Sequence, residues 1–461
     1  MKIGILALGR PTFDVEYAKE NLNYSLKFLN STNHHFFGSC ELLLNETDSK
    51  NEINKLKKEN LDFVIILQVT FTDSSTVLKI ARDLEKPIGI WAFPEPRLGG
   101  RLRLNALCGL NLASHTLGLN KINFSWMYEN PKKISAIKFD SFIENTNPQE
   151  PMVILKIPLL GSKKAKLIKE QLHKFKIGKI GKHPDGFDTC KYDQKKLSDL
   201  CGIKVDEIDL GTFLNNSKKI KLEEIKPTLK ELKKTTPSII EVNQKELKFF
   251  LNLEASLKKY KEEGKYSAFA LRCWPEMFTE YGGAICAPAS MMTEKKVPCA
   301  CEADVYGAVT QLILQEVSNQ PVFLTDIVDI DIEDNTGVFW HCGQAPISMC
   351  DPNFQPSATI HSNRKMPLLF EFPLKEGIVT IMRISQSFGQ QKMVVSKGKM
   401  INRTLPFTGT SGVIKFDNDS KKVLNNIISF GLEHHVAITY GDHLRLLSEL
   451  ASELKLPILY I

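Results

Sequence analysis

Lys2-Ile-Gly-Ile-Leu-Ala-Leu8, Asp62-Phe-Val-Ile-Ile-Leu-Gln68 and Pro87-Ile-Gly-Ile-Trp-Ala92 are three short apolar runs, each of which gives way to a polar loop. Runs this short, rich in Ile, Val and Leu and apolar on both faces, are the signature of strands in a covered parallel sheet. Between them the spacing of apolar residues predicts helices over Val15–Leu29 and Ser75–Leu84. Strand and helix therefore alternate over the first ~130 residues, which is a βαβ pattern. In such sheets ligands gather at the carboxyl ends of strands. The loops Gly9–Thr12, Thr70–Ser74 and Pro94–Gly100 are thus the expected contact points. No GxGxxG is present, so the usual dinucleotide fingerprint is missing.

Beyond this unit the texture changes twice. Glu129–Pro151 is charged and punctuated by proline, as a linker would be, and Met152–Leu160 is a further strand-sized apolar run. A second α/β unit follows, with strands at Lys176–Ile180 and Ile203–Asp209 and a Lys/Glu-rich helical stretch over Asn215–Lys265 that reads as a solvated face. From Pro321 short alternating apolar segments dominate, at Val338–Trp340, Leu368–Phe372, Ile378–Ile384 and Lys392–Val395. Helices at Val423–Phe430 and Leu444–Leu454 and strands at Val436–Tyr440 and Ile458–Ile461 close the chain. The expected architecture is α/β: two N-terminal α/β sandwich domains, residues 1–133 and 134–320, then a β-rich, barrel-like C-terminal domain, residues 321–461.

At 461 residues, 43% hydrophobic and 25% charged, the chain has the composition of a globular protein of two or three domains. No apolar run approaches the ~20 residues of a membrane span, and no secretory leader is evident. The ten cysteines are scattered without CxxC pairs and read as reduced thiols. A cytoplasmic location is expected. Only ten of the 60 basic residues are arginine, so the net charge of +7 is mostly surface lysine, with no interleaved aromatics to suggest nucleic acid. Neither nucleic acid nor membrane is expected as a partner. Three of the scarce arginines, Arg97, Arg101 and Arg103, fall in one loop beside Asn105. Such a cluster suits bidentate binding of an anion, or ion pairs at a subunit interface.

The chemistry concentrates in Ala268–Tyr306. Arg272-Cys-Trp-Pro-Glu276 ends one strand-like segment, and Cys299-Ala-Cys-Glu302-Ala-Asp304 runs into a helix predicted over Val305–Val317. Alternation places Glu302 and Asp304 on one strand face, with Asp304 also suited to capping the helix. Near the end, Glu433-His434-His435 precedes an apolar strand, where alternation turns only one histidine inward. Lacking CxxC and HExxH, the chain offers oxygen ligands plus one imidazole, a set that favours Mn²⁺ or a similar divalent ion over structural zinc.

Arg272-Cys-Trp-Pro-Glu276, Cys301-Glu-Ala-Asp-Val-Tyr-Gly-Ala308, Trp340-His-Cys-Gly-Gln-Ala-Pro346 and Glu433-His-His435 onward resemble the L-fucose/L-arabinose isomerase superfamily, in its shorter fucose isomerase-like branch. The resemblance implies a metal-dependent aldose–ketose isomerase acting on a monosaccharide through a cis-enediol, in a homo-oligomer, trimer or hexamer. It places the metal on Glu276, Asp304 and His435, with Glu302 the alternative second carboxylate. Glu276 and Asp304 would serve jointly as acid and base. It also implies sugar contacts from Arg10 and Trp91, often across subunits. Arg272, Trp274 and His341 are further substrate-binding candidates, with Arg97, Arg101 and Arg103 for an anionic group. Sulfoquinovose, converted to 6-deoxy-6-sulfofructose, is one substrate type of the wider group. The alternatives are a neutral-sugar isomerase of the fucose/arabinose type and a non-catalytic intracellular carbohydrate-binding protein. His361, in the polar stretch Ser357–Lys365, is expected on a surface or lid loop.

Overall fold

The computed structural model describes residues 1–145 and 160–461 and is organised around three sheets. The first is wholly parallel and comprises β1 (Lys2–Leu8), β2 (His35–Gly38), β3 (Phe63–Gln68), β4 (Ile88–Ala92) and β5 (Phe124–Tyr128) in the order β2-β1-β3-β4-β5. The strand order reverses at β1/β3, which opens a crevice at their carboxyl ends. Helices Val15–Leu29 and Ser75–Leu84 lie where the sequence places them, the first capped by Asp14, which accepts the Tyr17 N–H. The predicted linker at Glu129–Pro151 contains a helix, Ala136–Glu144, started by Ser135 and packed through Phe139 and Phe142 on the first sheet's core. The apolar run Met152–Leu160 lies outside the described residues apart from Leu160.

The second sheet is also parallel: β6 (Lys176–Ile180), β7 (Lys204–Ile208), β8 (Ala268–Leu271) and β9 (Cys299–Ala300), ordered β7-β6-β8-β9. The third holds β10 (Phe323–Asp331), β11 (Thr336–His341), β12 (Ser357–Ile360), β13 (Pro367–Pro373), β14 (Gly377–Ser385), β15 (Lys392–Ile401), β16 (Thr410–Phe416), β17 (His435–Tyr440) and β18 (Ile458–Tyr460). The circuit β16-β11-β10-β17-β14-β15 closes through antiparallel β15–β16 pairing into a barrel, with β12–β13 and β18 attached outside. Closure leaves those barrel strands no free edges.

Two helices tie the sheets together. Ala106–Leu119 is buried on nearly every residue because it packs on β4 and on β10 at once. Val305–Ser318 is buried the same way between β8 and the barrel strands β14 and β17. A helix apolar all round needs such double cover. Among the described residues no helix is long and apolar enough to cross a membrane.

Candidate active site

A pocket opens where the three sheets meet. The first sheet contributes Thr12, Phe13 and Phe71 from the loops after β1 and β3, with Asn105 after β4. Cys273, Trp274, Cys301 and Glu302 come from the carboxyl ends of β8 and β9. The barrel supplies Asp326, His341 and His434, and the loop before β13 supplies His361, Asn363 and Arg364.

The polar end of this pocket is set by backbone register. Asp326 on β10 sits directly opposite His435 on β17, and β11, which carries His341, flanks β10 on its other side. β9 stops at Ala300, and the chain then turns through left-handed Glu302 (φ 59°) and Ala303 (φ 54°). The expected alternation is thereby broken: Glu302 swings into the pocket, whereas Asp304 faces the protein interior. His434 precedes β17 rather than belonging to it, so alternation does not separate the pair. Both histidines face Glu302, their ring centroids 4.0 Å apart.

Hydrogen bonding fixes which nitrogens are free. His435 Nδ1 lies 2.9 Å from Asp304 Oδ2; as the donor there, it leaves the Nε2 lone pair exposed to Glu302 Oε2 at 3.7 Å and Asp326 Oδ1 at 3.6 Å. That Asp326 oxygen is buried with no hydrogen-bond partner. His434 Nε2 meets Glu302 at 3.0 Å, and His341 Nδ1 accepts the Cys342 N–H at 2.9 Å, so neutral His341 carries its proton on Nε2. Of the three rings only His435 presents a lone pair to both carboxylates. Two carboxylate oxygens and one imidazole, one oxygen otherwise orphaned, fit a hard divalent ion. Cys190 also approaches Glu302, at 4.0 Å, but burial beside Asp304 and Glu302 pushes its thiol pKa well up and keeps it protonated.

Charge is finely opposed here. Burial would raise the Glu302 carboxyl, but its hydrogen bond to His434, the charge of both histidines and the Trp274 indole, 3.2 Å from Oε1, hold it at about 2. Asp326 has no hydrogen-bonding imidazole, and burial prevails: its carboxyl is pushed up to about 6, against the pull of His435 and His434. Burial lowers His435, as does neighbouring His434, against the attraction of Asp304. Asp304 is the structural member. Burial penalises its charge, but Arg383, bound through Nη1 at 2.6 Å and Nη2 at 3.1 Å, and His435 together drive it well below the usual range.

The sequence-derived candidates divide accordingly. His435, Trp274 and His341 come together at the pocket. Asp304 lies directly behind His435, its oxygens taken by Arg383, His435 and the Gly307 N–H, which makes it a positioning residue and helix cap. Glu276 does not join the group; it starts the short helical turn after Pro275 and pairs with Arg272 at 2.5 Å, four residues back. Arg272 is further held by the carbonyls of Lys182 and His183. Trp91 is fully buried in an interior strand between Phe28 and Phe93, its indole donating to Glu129 O, so it does not line this pocket. The arginine cluster disperses into internal pairs: Arg97 with Asp329 and Thr336, Arg103 with Asp14, and Arg101 with Asn363 and the Thr12 carbonyl. Arg101 thus braces two residues of the rim. Arg10 pairs with Asp73 and lies over Trp274. Asp326 and Arg364 went unread, and His361, expected on a surface or lid loop, is buried and lines the pocket; the aspartates within the otherwise apolar run Phe323–Ile330 were the available signal.

Residues 4–148 match the family model described as fucose/sulfoquinovose isomerase, N-terminal domain. The chain is 29% identical over 453 residues to a sulfoquinovose isomerase of Priestia megaterium (strain ATCC 12872 / QMB1551), covering 97% of this chain and 96% of that protein. A sulfoquinovose isomerase of Alkalicoccus urumqiensis is 29% identical over 403 residues, 87% of this chain and 86% of that one. That of Clostridium sp. (strain MSTE9) is 26% identical over 460 residues, 99% and 98% of the two.

Proposed function

We propose that this chain, similar over nearly its whole length to sulfoquinovose isomerases and matching the fucose/sulfoquinovose isomerase N-terminal domain over residues 4–148, is an aldose–ketose isomerase converting sulfoquinovose to 6-deoxy-6-sulfofructose, with Glu302, Asp326 and His435 as its metal ligands. The observation that carries the assignment is the orphaned Asp326 Oδ1, facing the His435 Nε2 lone pair at 3.6 Å. Mn²⁺ is the ion we assign, on the donor set. When bound, such an ion stabilises the negative charge that develops on vicinal sugar oxygens in the enediolate. Isomerisation through a cis-enediol moves one proton between adjacent carbons. We assign that transfer to Glu302 and Asp326 jointly, since both carboxylates approach His435 Nε2, at 3.7 and 3.6 Å. His341 Nε2–H and the indole of Trp274 orient hydroxyls and Glu302, while Phe13 and Phe71 exclude water from the apolar wall. The reading carries with it a cytoplasmic homo-oligomer, trimer or hexamer, with no nucleic-acid or membrane partner.

Incubation with Mn²⁺ and sulfoquinovose in D₂O tests this directly. Ketose formation with deuterium entering at C1 or C2 is the expected result. Binding of the sugar without exchange or ketose would instead leave a carbohydrate-binding protein. A second test concerns the ion alone. Asp326 must lose its proton before it can bind a cation. With that carboxyl at about 6 in the metal-free protein, Mn²⁺ affinity should be level above neutrality and fall as the pH drops through 6. The decline should approach about tenfold per pH unit below that point, measured by calorimetric titration.

A further inference from the structure

Nine of the ten arginines hold an acceptor through the guanidinium: Arg10, Arg97, Arg103, Arg272, Arg383, Arg403 and Arg445 hold carboxylates, Arg82 and Arg101 asparagine amides. Arg364 is the exception among the described residues. Its backbone N–H donates to His361 Nδ1 at 3.3 Å, which fixes the loop, but its guanidinium has no carboxylate or carbonyl partner and lines the pocket. It lies 5.4 Å over the Trp274 ring and 5.7 Å over Phe278, half-buried. Arg10 approaches the same indole at 5.3 Å, so a second cation, compensated by Asp73, is drawn to the same place. Burial and this like charge both disfavour the ionised Arg364. A fork of donors held in a pocket beside another guanidinium calls for an anion with several oxygens.

Trp274 also sets the scale. Its Nε1 donates to Glu302 Oε1, while its ring carries Arg364. A substrate with reacting carbons at Glu302 and an anionic group at its far end would lie along the indole, spanning both poles. We propose that Arg364 is the specificity-determining residue of this site, binding the sulfonate carried on C6 of the hexose through its guanidinium fork. The proposal deepens the isomerase reading and rests on it for the identity of the sugar. Asn363, next in the loop, is fastened by Arg101 Nε at 2.9 Å and by its own amide to the Leu102 carbonyl at 3.1 Å. The receptor is therefore braced from the first sheet's loop, the region of the arginine cluster.

The test compares kcat/KM for sulfoquinovose with that for 6-deoxy-D-glucose, which lacks only the sulfonate, in wild type, Arg364→Gln and Arg364→Lys, with circular dichroism to verify folding. Arg403→Gln, an exposed ion pair with Asp334, serves as the control that keeps the wild-type ratio. Arg364→Gln should lower the preference for the sulfonated sugar about a hundredfold, chiefly through KM, and Arg364→Lys should recover part of it. Methanesulfonate should inhibit wild type competitively and Arg364→Gln far more weakly. An unchanged ratio within threefold in folded Arg364→Gln overturns the proposal, as does an equal loss on both sugars. If wild type isomerises neither sugar the isomerase reading falls, and methanesulfonate binding, measured by calorimetry on wild type and Arg364→Gln, still decides the receptor: binding lost in the variant upholds it, binding equal in both sinks it.

Discussion

Asp326→Asn is expected to abolish Mn²⁺ binding and to lower kcat/KM by about a thousandfold or more, since it removes a metal ligand and half of the proton-transferring pair. The change is nearly isosteric and lies within β10, so register with His435 is retained. Its effect on stability should run the opposite way. The Asp326 carboxyl is raised from 3.8 to about 6 on folding. A raised acid binds its proton more tightly in the folded state, so stability is greatest below 3.8 and is lost as the pH climbs through 6. At pH 8 in chelator the ionised side chain therefore costs about 3 kcal/mol, which Asn does not. The metal-free variant should melt above metal-free wild type while being inactive. Differential scanning calorimetry with and without EDTA checks the sign, and a variant that melts lower and still turns over would refute both the ligand assignment and the cause given for it.

Arg383→Met strikes the support behind the site. Arg383 and Asp304 side chains are each 1% exposed, so removing the cation strands a carboxylate in the interior. Breaking a pair of this kind costs about 3–5 kcal/mol. Asp304 then holds only His435 and its helix cap, so the carboxylate that fixes the tautomer aiming Nε2 at the carboxylates is itself no longer anchored by Arg383. Loss of such an outer partner lowers metal affinity about 10–100-fold. The double change Arg383→Met with Asp304→Asn should regain part of the stability, because no buried charge remains unpaired, without restoring the affinity. Urea unfolding and Mn²⁺ titration of wild type, the single and the double variant separate the two roles.

The architecture was legible because its signals are local. Apolar runs the length of one strand, amphipathic helices and polar strand ends marked β1, β3, β4, β6 and the barrel strands β11, β14 and β17 to within a residue or two, whereas β10 and β16 were missed and β15 was read six residues short. The site was less so. Left-handed turns at Glu302 and Ala303 have no mark in a sequence without glycine there, so alternation continued one step too far and paired Glu302 with Asp304. The partners that absorb Arg97 and Arg101, at Asp329, Thr336 and Asn363, lie more than 200 residues away in sequence, and nothing local announces them. Arg272 and Glu276 stand only four apart, but they pair across the irregular turn between β8 and the helical turn at Met277–Tyr281 rather than along a helix, so that bond too had no local mark. Asp326 was only partly readable: β10 buries two aspartates, Asp326 and Asp329, and nothing local tells the one in the pocket from the one that pairs with Arg97.

Since its walls come from three separate sheets, the pocket is a keystone. Whatever seats there clasps segments that are otherwise joined by shared helices and by packing. At a hundredfold excess over its dissociation constant, a ligand adds about 2.7 kcal/mol to the resistance of the native chain to unfolding. Heat resistance of the whole molecule is thus a gauge of what fills that single space.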